Sequence, residues 1–488
     1  MVVFEELDAF FKPERVAIIG ASKSLLGGGG IFLNSLMEMN FPDIIPVNPK
    51  EEEISGLKAY PSVKDIPGNV DYAIVAVPAK IVPSVIGDCV EKGVKVAHIF
   101  TSGFSELDDA SGKELEDELL RIADGKTRII GPNCMGIYCP ESGLSYLPGS
   151  SPHSGSVSLI SQSGRYATFI LIMTSQFGVK YNKIISVGNS CDLNATDFLE
   201  YLGDDPDTKT IAMYAEGVED GKRFLNVLKE VTKKKPVIIW KGGRTEEGSL
   251  AAASHTGSLA GSNLLWESVF KQAGVVQVKS LDEMIDAIIA FNNLPPITGR
   301  NVAIITGGGG ETVTSADACS DEGLYLKQFS ERTKWELGNT LTIPGTIHRN
   351  PVDYSSMGSS PGILRKVTKI VSSDDNVDAV VVLLFVGPAI LKAMMGSSII
   401  SQFTAGEVPD EATVSRLLEQ FIKLSINDLI KTNKDIDKPM VVVSPMMDAE
   451  PSAVAKLQNA GIPVYPSFER ALKALSRFIE YHEYLESV

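Results

Sequence analysis

Three stretches set the architecture of this chain: RVAIIGAS at 15–22, SVSLISQSG at 156–164 and NVAIITGGGG at 301–310. Each is a short apolar run that ends in small residues and precedes a helical pattern, so each predicts a buried parallel strand that turns into a helix. Further apolar runs alternate with helical stretches along the chain, which is typical of parallel sheets covered by helices on both faces. The sequence therefore predicts an α/β protein of three doubly wound, Rossmann-like or flavodoxin-like domains with mainly parallel sheets.

Two connections rich in proline, glycine and serine mark the expected domain boundaries. They are YLPGSSPHSGS at 146–156 and NNLPPITGR at 292–300, and such a composition is typical of loops between folded units. A chain of 488 residues is also longer than a single hydrophobic core normally supports. We therefore expect domains at 1–145, 146–295 and 296–488.

The composition argues against several classes of function. The formal net charge is −16, and the longest basic run, at 233–235, is too short for a nucleic-acid surface. No apolar run approaches the roughly 20 residues that span a bilayer, and the acidic start of the chain is unlike a secretion signal. The five cysteines form no CxxC pair, so neither a disulfide framework nor a zinc site is expected. We expect a cytoplasmic protein that binds neither nucleic acid nor membrane.

The turn after the first predicted strand has the composition of a phosphate-binding loop. GASK at 20–23 is followed by glycines at 27–30 and a helical pattern, so unpaired backbone N–H groups and the helix dipole favour an anionic ligand. The turn lacks the GxGxxG fingerprint, and the second strand, IIPVNPK at 44–50, lacks the acid that binds a ribose hydroxyl, which disfavours NAD. Lys50 stands near that position, where it either contacts a phosphate or is an ordinary exposed lysine.

Several motifs resemble the CoA-binding domain of the succinyl-CoA synthetase superfamily. The resemblance is carried by GAS at 20–22, PVNP at 46–49, VDYAIVAVPA at 70–79, TSGFSE at 101–106 and IIGPNCMG at 129–136. It is closest to the alpha subunits of the ADP-forming acyl-CoA synthetases and extends over most of the chain. The resemblance implies that coenzyme A binds along Gly20, Ala21, Ser22, Lys23, Asn48, Lys50, Val77, Pro78, Ser102 and Gly103.

His255 is the candidate nucleophile. It stands in GSLAAASHTGSLAG at 248–261, where small side chains leave an imidazole unobstructed and glycines allow the backbone to move. By itself such a histidine is either catalytic or structural. The run SHTGSLAG at 254–261 resembles the segment that carries the phosphorylated histidine in the ADP-forming acyl-CoA synthetases, and this resemblance implies that His255 accepts a phosphoryl group.

Two further elements would support a phosphohistidine. A nucleophilic imidazole needs an acceptor for its second ring N–H, and the resemblance assigns this role to Glu216, which would otherwise be an exposed carboxylate at a strand end. The turn at 161–164, which starts a predicted helix, offers N–H groups and hydroxyls to the phosphoryl oxygens. The pair Arg165 and Tyr166 follows that turn where members of the family usually have small residues, and it either adds a cation or reshapes the acyl pocket. The expected phosphate-binding residues are Ser161, Gln162, Ser163 and Gly164.

The nucleotide-binding half of such an enzyme is missing from the sequence. The run Gly125-Lys126-Thr127 lacks the first glycine of a Walker A loop, since position 120 is Leu, and no ATP-grasp domain is recognised. The resemblance therefore implies an ATP-grasp beta subunit that binds Mg-ADP or Mg-ATP, in an α2β2 heterotetramer. The implied reaction is reversible: acyl-CoA, ADP and phosphate give a carboxylic acid, ATP and CoA through an acyl phosphate and a phosphohistidine, with acetate as the default acid.

The third predicted domain carries the least functional information. NPVDY at 350–354 follows the family, whereas ITGGGGE at 305–311 departs from it, so we expect a structural or interface domain. The alternative function is a CoA-binding regulatory paralogue that has lost turnover through the changes at 165–166 and 307–311. The retained SHTGSLAG run and Glu216 argue against that alternative, and the missing ribose acid argues against a nicotinamide dehydrogenase.

Overall fold

A computed structural model describes residues 4–24, 27–107, 110–249, 263–354, 362–384, 411–445 and 451–488. The chain divides into two compact units, of which one comprises residues 1–175 and 179–284 and the other comprises residues 176–178 and 285–488. Among the described residues, two large sheets belong to the first unit and one large sheet belongs to the second.

The first sheet is built from five parallel strands. They are β1 (Val16–Ile19), β2 (Ile44–Val47), β5 (Tyr72–Val75), β6 (Val96–Ile99) and β7 (Arg128–Ile130), with a hairpin of β3 (Glu53–Ile54) and β4 (Leu57–Lys58) after the second strand. The accompanying helices are α1 (Phe4–Phe11), α2 (Gly29–Glu38), α3 (Val82–Lys92) and α4 (Ala110–Ala123), with short 3-10 turns at Val63–Asp65 and Ala79–Ile81. The spatial order β2-β1-β5-β6-β7 places β1 between two neighbours, and every residue of VAII in β1 is buried, as parallel strands covered on both faces require.

The second sheet has six strands, and all neighbours are parallel except one pair. They are β8 (Gly136–Tyr138), β9 (Val157–Ser161), β10 (Tyr181–Ser186), β11 (Thr210–Ala215), β12 (Val237–Lys241) and β13 (Val276–Val278). Its helices are α5 (Gly164–Ser175), α6 (Ala195–Asp204), α7 (Gly221–Thr232) and α8 (Asn263–Ala273), whereas α9 (Leu281–Asn293), which follows β13, lies mostly in the second unit. The order is β13-β12-β11-β9-β10-β8, and the edge strand β8 runs antiparallel to β10.

The second unit contains a third sheet of five parallel strands. They are β14 (Val302–Thr306), β15 (Val352–Asp353), β16 (Ala379–Leu383), β17 (Met440–Val443) and β18 (Val464–Tyr465), in the order β15-β14-β16-β17-β18. Its helices are α10 (Gly309–Asp321), α11 (Glu331–Thr340), α12 (Ile363–Ser372), α13 (Glu411–Asp435), α14 (Pro451–Asn459) and α15 (Phe468–Ser487).

The prediction of an α/β protein with mainly parallel sheets is confirmed, and each of the three quoted stretches forms the strand expected of it, as β1, β9 and β14. The domain boundaries at 1–145, 146–295 and 296–488 stay a prediction. One strand crosses the expected division, because β8 follows the last strand of the first sheet but pairs in the second. In the part of the chain that the structure describes, no helix has both the length and the apolar character of a membrane span.

Candidate active site

The carboxyl ends of β9 and β11 lie side by side in the second sheet. These strands are parallel neighbours, so the turn at 161–164 and Glu216 come together at one edge. The Gln162 side chain holds the junction: its Oε1 accepts the backbone N–H groups of Glu216 and Gly217, and its Nε2 donates to the Gly217 carbonyl at 3.0 Å. Gln162 therefore fixes the backbone that carries the Glu216 carboxylate.

The two carboxylate oxygens of Glu216 have different surroundings. Oε1 accepts a hydrogen bond from the Tyr214 hydroxyl at 3.2 Å. Oε2 is buried and has no hydrogen-bond partner among the described residues. A buried acceptor without a donor costs about 1–3 kcal/mol or more when it is charged. The geometry is thus suited to an N–H donor that arrives at Oε2.

The turn at 161–164 uses its serine hydroxyls to shape the start of α5. The Ser161 hydroxyl donates to the Ser163 carbonyl at 2.6 Å and accepts the Ser163 N–H at 3.2 Å. The Ser163 hydroxyl accepts the N–H of Tyr166 at 3.3 Å and so caps the helix. A side chain at Gly164 would place its Cβ 2.9 Å from Cγ of Met135, so this position has room only for glycine. The turn leaves backbone N–H groups at the helix start, where anions bind.

A cavity of about 760 Å³ lies beside Glu216 and Gln162 within the first unit. Its walls combine residues that follow β6 with residues from the turns and helices that follow β9, β10 and β11. They are Ser105, Leu107, Ala110, Lys113, Glu116, Gln162, Gly188, Asn189, Ser190, Cys191, Asn194, Ala195, Thr196, Glu216, Gly217, Val218, Glu219, Asp220 and Arg223. The ends of the first two sheets therefore share one cavity.

Asn189 links the two sides of this cavity. Its Nδ2 donates to Oε2 of Glu106 at 2.6 Å and to Oε1 of Glu116 at 2.9 Å. The same carboxylates hold the loop after β6, because Glu106 accepts the N–H of Phe104 at 3.1 Å and Glu116 accepts the hydroxyl of Ser105 at 2.6 Å. This network joins the loop at 103–105 to the turn after β10. Sequence reasoning missed Asn189, since the turn that carries it matches no recognisable motif, although its partner Glu106 ends the TSGFSE stretch at 101–106.

Lys241 is a second residue near the site that sequence reasoning did not single out. It ends β12 next to β11, in register with Ala215, and its side chain is buried. Burial lowers the pKa of Lys241, and the nearby Glu216 carboxylate opposes that shift. Its ammonium donates to the Gly242 carbonyl and lies 5.2 Å from the ring centroid of Trp266 in α8. A charged residue at the end of an otherwise apolar strand was the available signal.

The residues expected to bind coenzyme A gather at one edge of the first sheet. They follow the ends of β1, β2, β5 and β6. Asn48 ties two of these loops together, because its Nδ2 donates to the Ala21 carbonyl at 2.8 Å and its Oδ1 accepts the Lys50 N–H at 2.9 Å. Gly20 has a φ of +91°, and a Cβ there would lie 2.4 Å from the Ala76 carbonyl oxygen. Only glycine allows this close approach.

The cations of that edge are accessible to a ligand. Lys23 and Lys50 are exposed, and the Lys23 ammonium pairs with Glu51 at 2.7 Å. Ser102 and Pro78 are exposed, whereas Val77 and Gly103 are half-buried. His255 lies outside the described residues, so its proximity to Glu216 and to the turn at 161–164 stays a prediction.

Two protein-family models match the chain. A "CoA binding domain" matches residues 14–140, and a "Succinyl-CoA ligase like flavodoxin domain" matches residues 154–291. The matched ranges contain the first and second sheets with their strand-end loops.

Known proteins are similar over most of this chain. The alpha subunit of acetate–CoA ligase [ADP-forming] II from Pyrococcus furiosus is 41% identical, with 85% of this chain and 93% of the relative covered. The acetate–CoA ligase [ADP-forming] of Methanocaldococcus jannaschii is 42% identical, with 71% of this chain and 49% of the relative covered. A solved structure of acetyl-coenzyme A synthetase 1 from Ca. Korarchaeum cryptofilum in complex with phosphate and ADP is 33% identical. It superposes with a TM-score of 0.82 and covers 99% of this chain and 98% of that one.

Proposed function

Because the chain belongs to the family of ADP-forming acetate–CoA ligases, we propose that it is the alpha subunit of such a ligase. The proposed reaction converts acyl-CoA, ADP and phosphate into a carboxylic acid, ATP and CoA, and it is reversible. The observation that carries the proposal is Oε2 of Glu216 beside the cavity, which is buried and has no hydrogen-bond partner in the described part of the chain. A histidine that accepts a phosphoryl group needs such an acceptor for its second ring N–H.

The first proposed step takes place in the cavity. A phosphate oxygen attacks the thioester carbonyl, the C–S bond breaks, and CoA leaves as the thiol once its sulfur is protonated. The volume of about 760 Å³ leaves room for an acyl group, a phosphate and the end of the CoA arm together. The N–H groups at the start of α5 offer positive potential to the phosphate.

In the second proposed step, His255 takes the phosphoryl group. Its free ring nitrogen attacks phosphorus, the bond between phosphorus and the acyl oxygen breaks, and the carboxylate leaves. Oε2 of Glu216 accepts the N–H of the other ring nitrogen and offsets the positive charge that develops on the imidazole. We assign Ser161, Gln162, Ser163 and Gly164 to the phosphoryl-binding turn, with the N–H groups of Gly164 and Arg165 as the backbone donors, because those of Gln162 and Ser163 already bond to the Tyr214 carbonyl and the Ser161 hydroxyl.

A partner subunit supplies the nucleotide in this proposal. An ATP-grasp beta subunit binds Mg-ADP and receives the phosphoryl group from His255, most simply in an α2β2 heterotetramer. Support comes from the longer Methanocaldococcus jannaschii relative, of which this chain covers 49%. A single longer polypeptide in that organism is consistent with two subunits here.

We assign coenzyme A to the edge of the first sheet, along the loops after β1, β2, β5 and β6. The glycine requirement at position 20 and the bridge made by Asn48 support this assignment, because a phosphate chain needs close approach to backbone N–H groups. We propose acetate as the default acid. Domains at 1–145 and 146–295 would then carry CoA and the phosphohistidine, and 296–488 would form the structural or interface domain.

Phosphorylation with labelled ATP tests the proposal. The chain and its ATP-grasp partner are incubated with ATP labelled at the γ-phosphate, and acid-labile, base-stable label is expected on the wild type. His255→Ala should abolish the label, whereas the matched control His153→Ala, at an exposed position, should retain it. Label that persists in His255→Ala would exclude His255 as the acceptor.

A further inference from the structure

Tyr214 forms a hydrogen bond to only one of the two oxygens of the Glu216 carboxylate. Its hydroxyl donates to Oε1 at 3.2 Å, while Oε2 is buried without a partner among the described residues. Tyr214 is 7% exposed. Burial and, after it, the adjacent Glu216 charge raise the pKa of Tyr214 well above its ordinary value. The hydroxyl thus keeps its proton and acts as a donor to Oε1.

The Tyr214 ring is held by two aromatic neighbours. Its centroid lies 4.7 Å from the ring of Tyr166 and 5.0 Å from the ring of Trp240, and those two rings lie 4.6 Å apart. Three rings in mutual contact bury a large apolar area and leave little freedom for any one of them to rotate. The direction of the Tyr214 hydroxyl is therefore set by packing. Tyr166, one of the departures from the family, is part of this support.

The backbone at Gly242 leaves space for the contact between Tyr214 and Glu216. A Cβ at position 242 would lie 2.6 Å from the Tyr214 hydroxyl and 3.5 Å from Cγ of Glu216. Glycine at this position leaves space for the hydroxyl and the carboxylate together. The Gln162 side chain holds the N–H groups of residues 216 and 217 from the other side. Side chain and backbone of Glu216 are each fixed by a different neighbour.

From this arrangement we propose that Tyr214 is a positioning residue that occupies Oε1 of Glu216 and so reserves Oε2 for the N–H of the phosphorylated histidine. The inference rests on the proposed function, because it concerns the step in which His255 takes the phosphoryl group. Without the Tyr214 hydroxyl, the carboxylate can turn and present either oxygen. The acceptor is then correctly placed for only part of the time.

The test compares Tyr214→Phe with Tyr201→Phe in the complete complex with the ATP-grasp partner. Tyr214→Phe removes the hydroxyl and keeps the ring. We expect the rate of His255 phosphorylation at saturating substrates to fall about tenfold, as for the loss of a hydrogen bond to a charged group, with KM for CoA unchanged. Tyr201→Phe is the matched control, because its hydroxyl also donates to a carboxylate, that of Asp8 at 2.9 Å, and neither residue lines the cavity. It should retain the wild-type rate.

A double-mutant cycle with Glu216→Gln separates positioning from general damage to the fold. If Tyr214 acts through Glu216, Tyr214→Phe should have no further effect in the Glu216→Gln background, so the two effects should not add. Two tenfold effects that multiply to a hundredfold loss, or a raised KM for CoA in Tyr214→Phe, would overturn the inference and leave the proposed function standing. A wild-type rate in Glu216→Gln would instead remove Glu216 from the proposed function and this inference with it.

Discussion

Burial determines which histidines of this chain are available for chemistry. His98 lies in β6 and is 1% exposed. Its ring meets Phe32 edge-on at 5.3 Å between centroids, and its Nε2 lies 3.2 Å from the Cys134 carbonyl oxygen. Burial lowers the pKa of His98 to about 4, against an opposing contribution from the hydrogen bond to Cys134. His98 is therefore a core residue, which its place in the largely apolar run VKVAHIF at 94–100 also predicts.

The depressed pKa of His98 predicts a specific loss of stability in acid. The ordinary value is 6.5 and the folded value is about 4, so the unfolded chain binds this proton more readily. The stabilising contribution is complete above pH 6.5 and is lost as the pH falls toward 4, by about 3 kcal/mol in all. Unfolding by urea at several pH values measures it. His98→Gln should show about one proton less taken up on unfolding near pH 5, and an unchanged pH dependence would contradict this account.

The start of helix α6 forms part of the cavity wall. The helix α6 begins after Asn194, whose side-chain oxygen accepts the N–H groups of Thr196 at 2.9 Å and Asp197 at 3.3 Å. In turn, the Asp197 carboxylate accepts the N–H of Asn194 at 2.9 Å, which completes a capping box. Asn194 and Thr196 also line the cavity. The cap therefore fixes the position at which α6 leaves the cavity wall.

The capping box predicts a stability effect that belongs to the helix as an element. Asn194→Ala should lower the free energy of unfolding by about 1 kcal/mol, because two N–H groups at the helix start lose their acceptor. Asn194→Ser is the matched control, since serine caps helices about as well and should retain most of the stability. Thermal or urea unfolding measures both variants. Equal losses for alanine and serine would show that the cap is not the source of the effect.

At the scale of the whole molecule, two sheets of the first unit contribute to one cavity. The first sheet brings the residues proposed for CoA, and the second brings Glu216 and the turn at 161–164. The loop and helix after β6 meet the turn after β10 at the cavity through the network around Asn189, whereas none of the residues proposed for CoA lines the cavity. Under the proposed function, a thioester held at the first sheet would have to reach past β6 into the cavity to react beside Glu216.

Ligand-dependent unfolding tests the CoA assignment on the whole chain. At a CoA concentration about 100 times its Kd, the free energy of unfolding should rise by about 2.7 kcal/mol, whereas NADH should give no shift. Gly20→Ala should lose the CoA effect, because its Cβ would lie 2.4 Å from the Ala76 carbonyl oxygen. Gly125→Ala is the matched control, with a similar positive φ of +67° and open space around it. A shift with NADH alone would favour a nicotinamide enzyme.

Much of the fold was readable from local patterns. Apolar runs that end in small residues predicted β1, β9 and β14, because a strand buried on both faces has to be apolar along its whole length. The antiparallel pairing of β8 with β10 was not predictable in this way. Strand pairing depends on which distant segment lies alongside, and three residues carry no periodicity that identifies it.

The candidate site, like the fold, was predictable from the sequence only in part. A family resemblance implied the roles of His255 and Glu216, whereas the residue types of the turn at 161–164 by themselves predicted a phosphate-binding turn. The unequal surroundings of the Glu216 oxygens and the role proposed for Tyr214 depend on side chains of β11, β12 and α5 that pack together. Tyr214 and Glu216 are only two residues apart, but the Tyr166 and Trp240 rings that hold Tyr214 come from distant parts of the chain, and only folding brings them into contact with it.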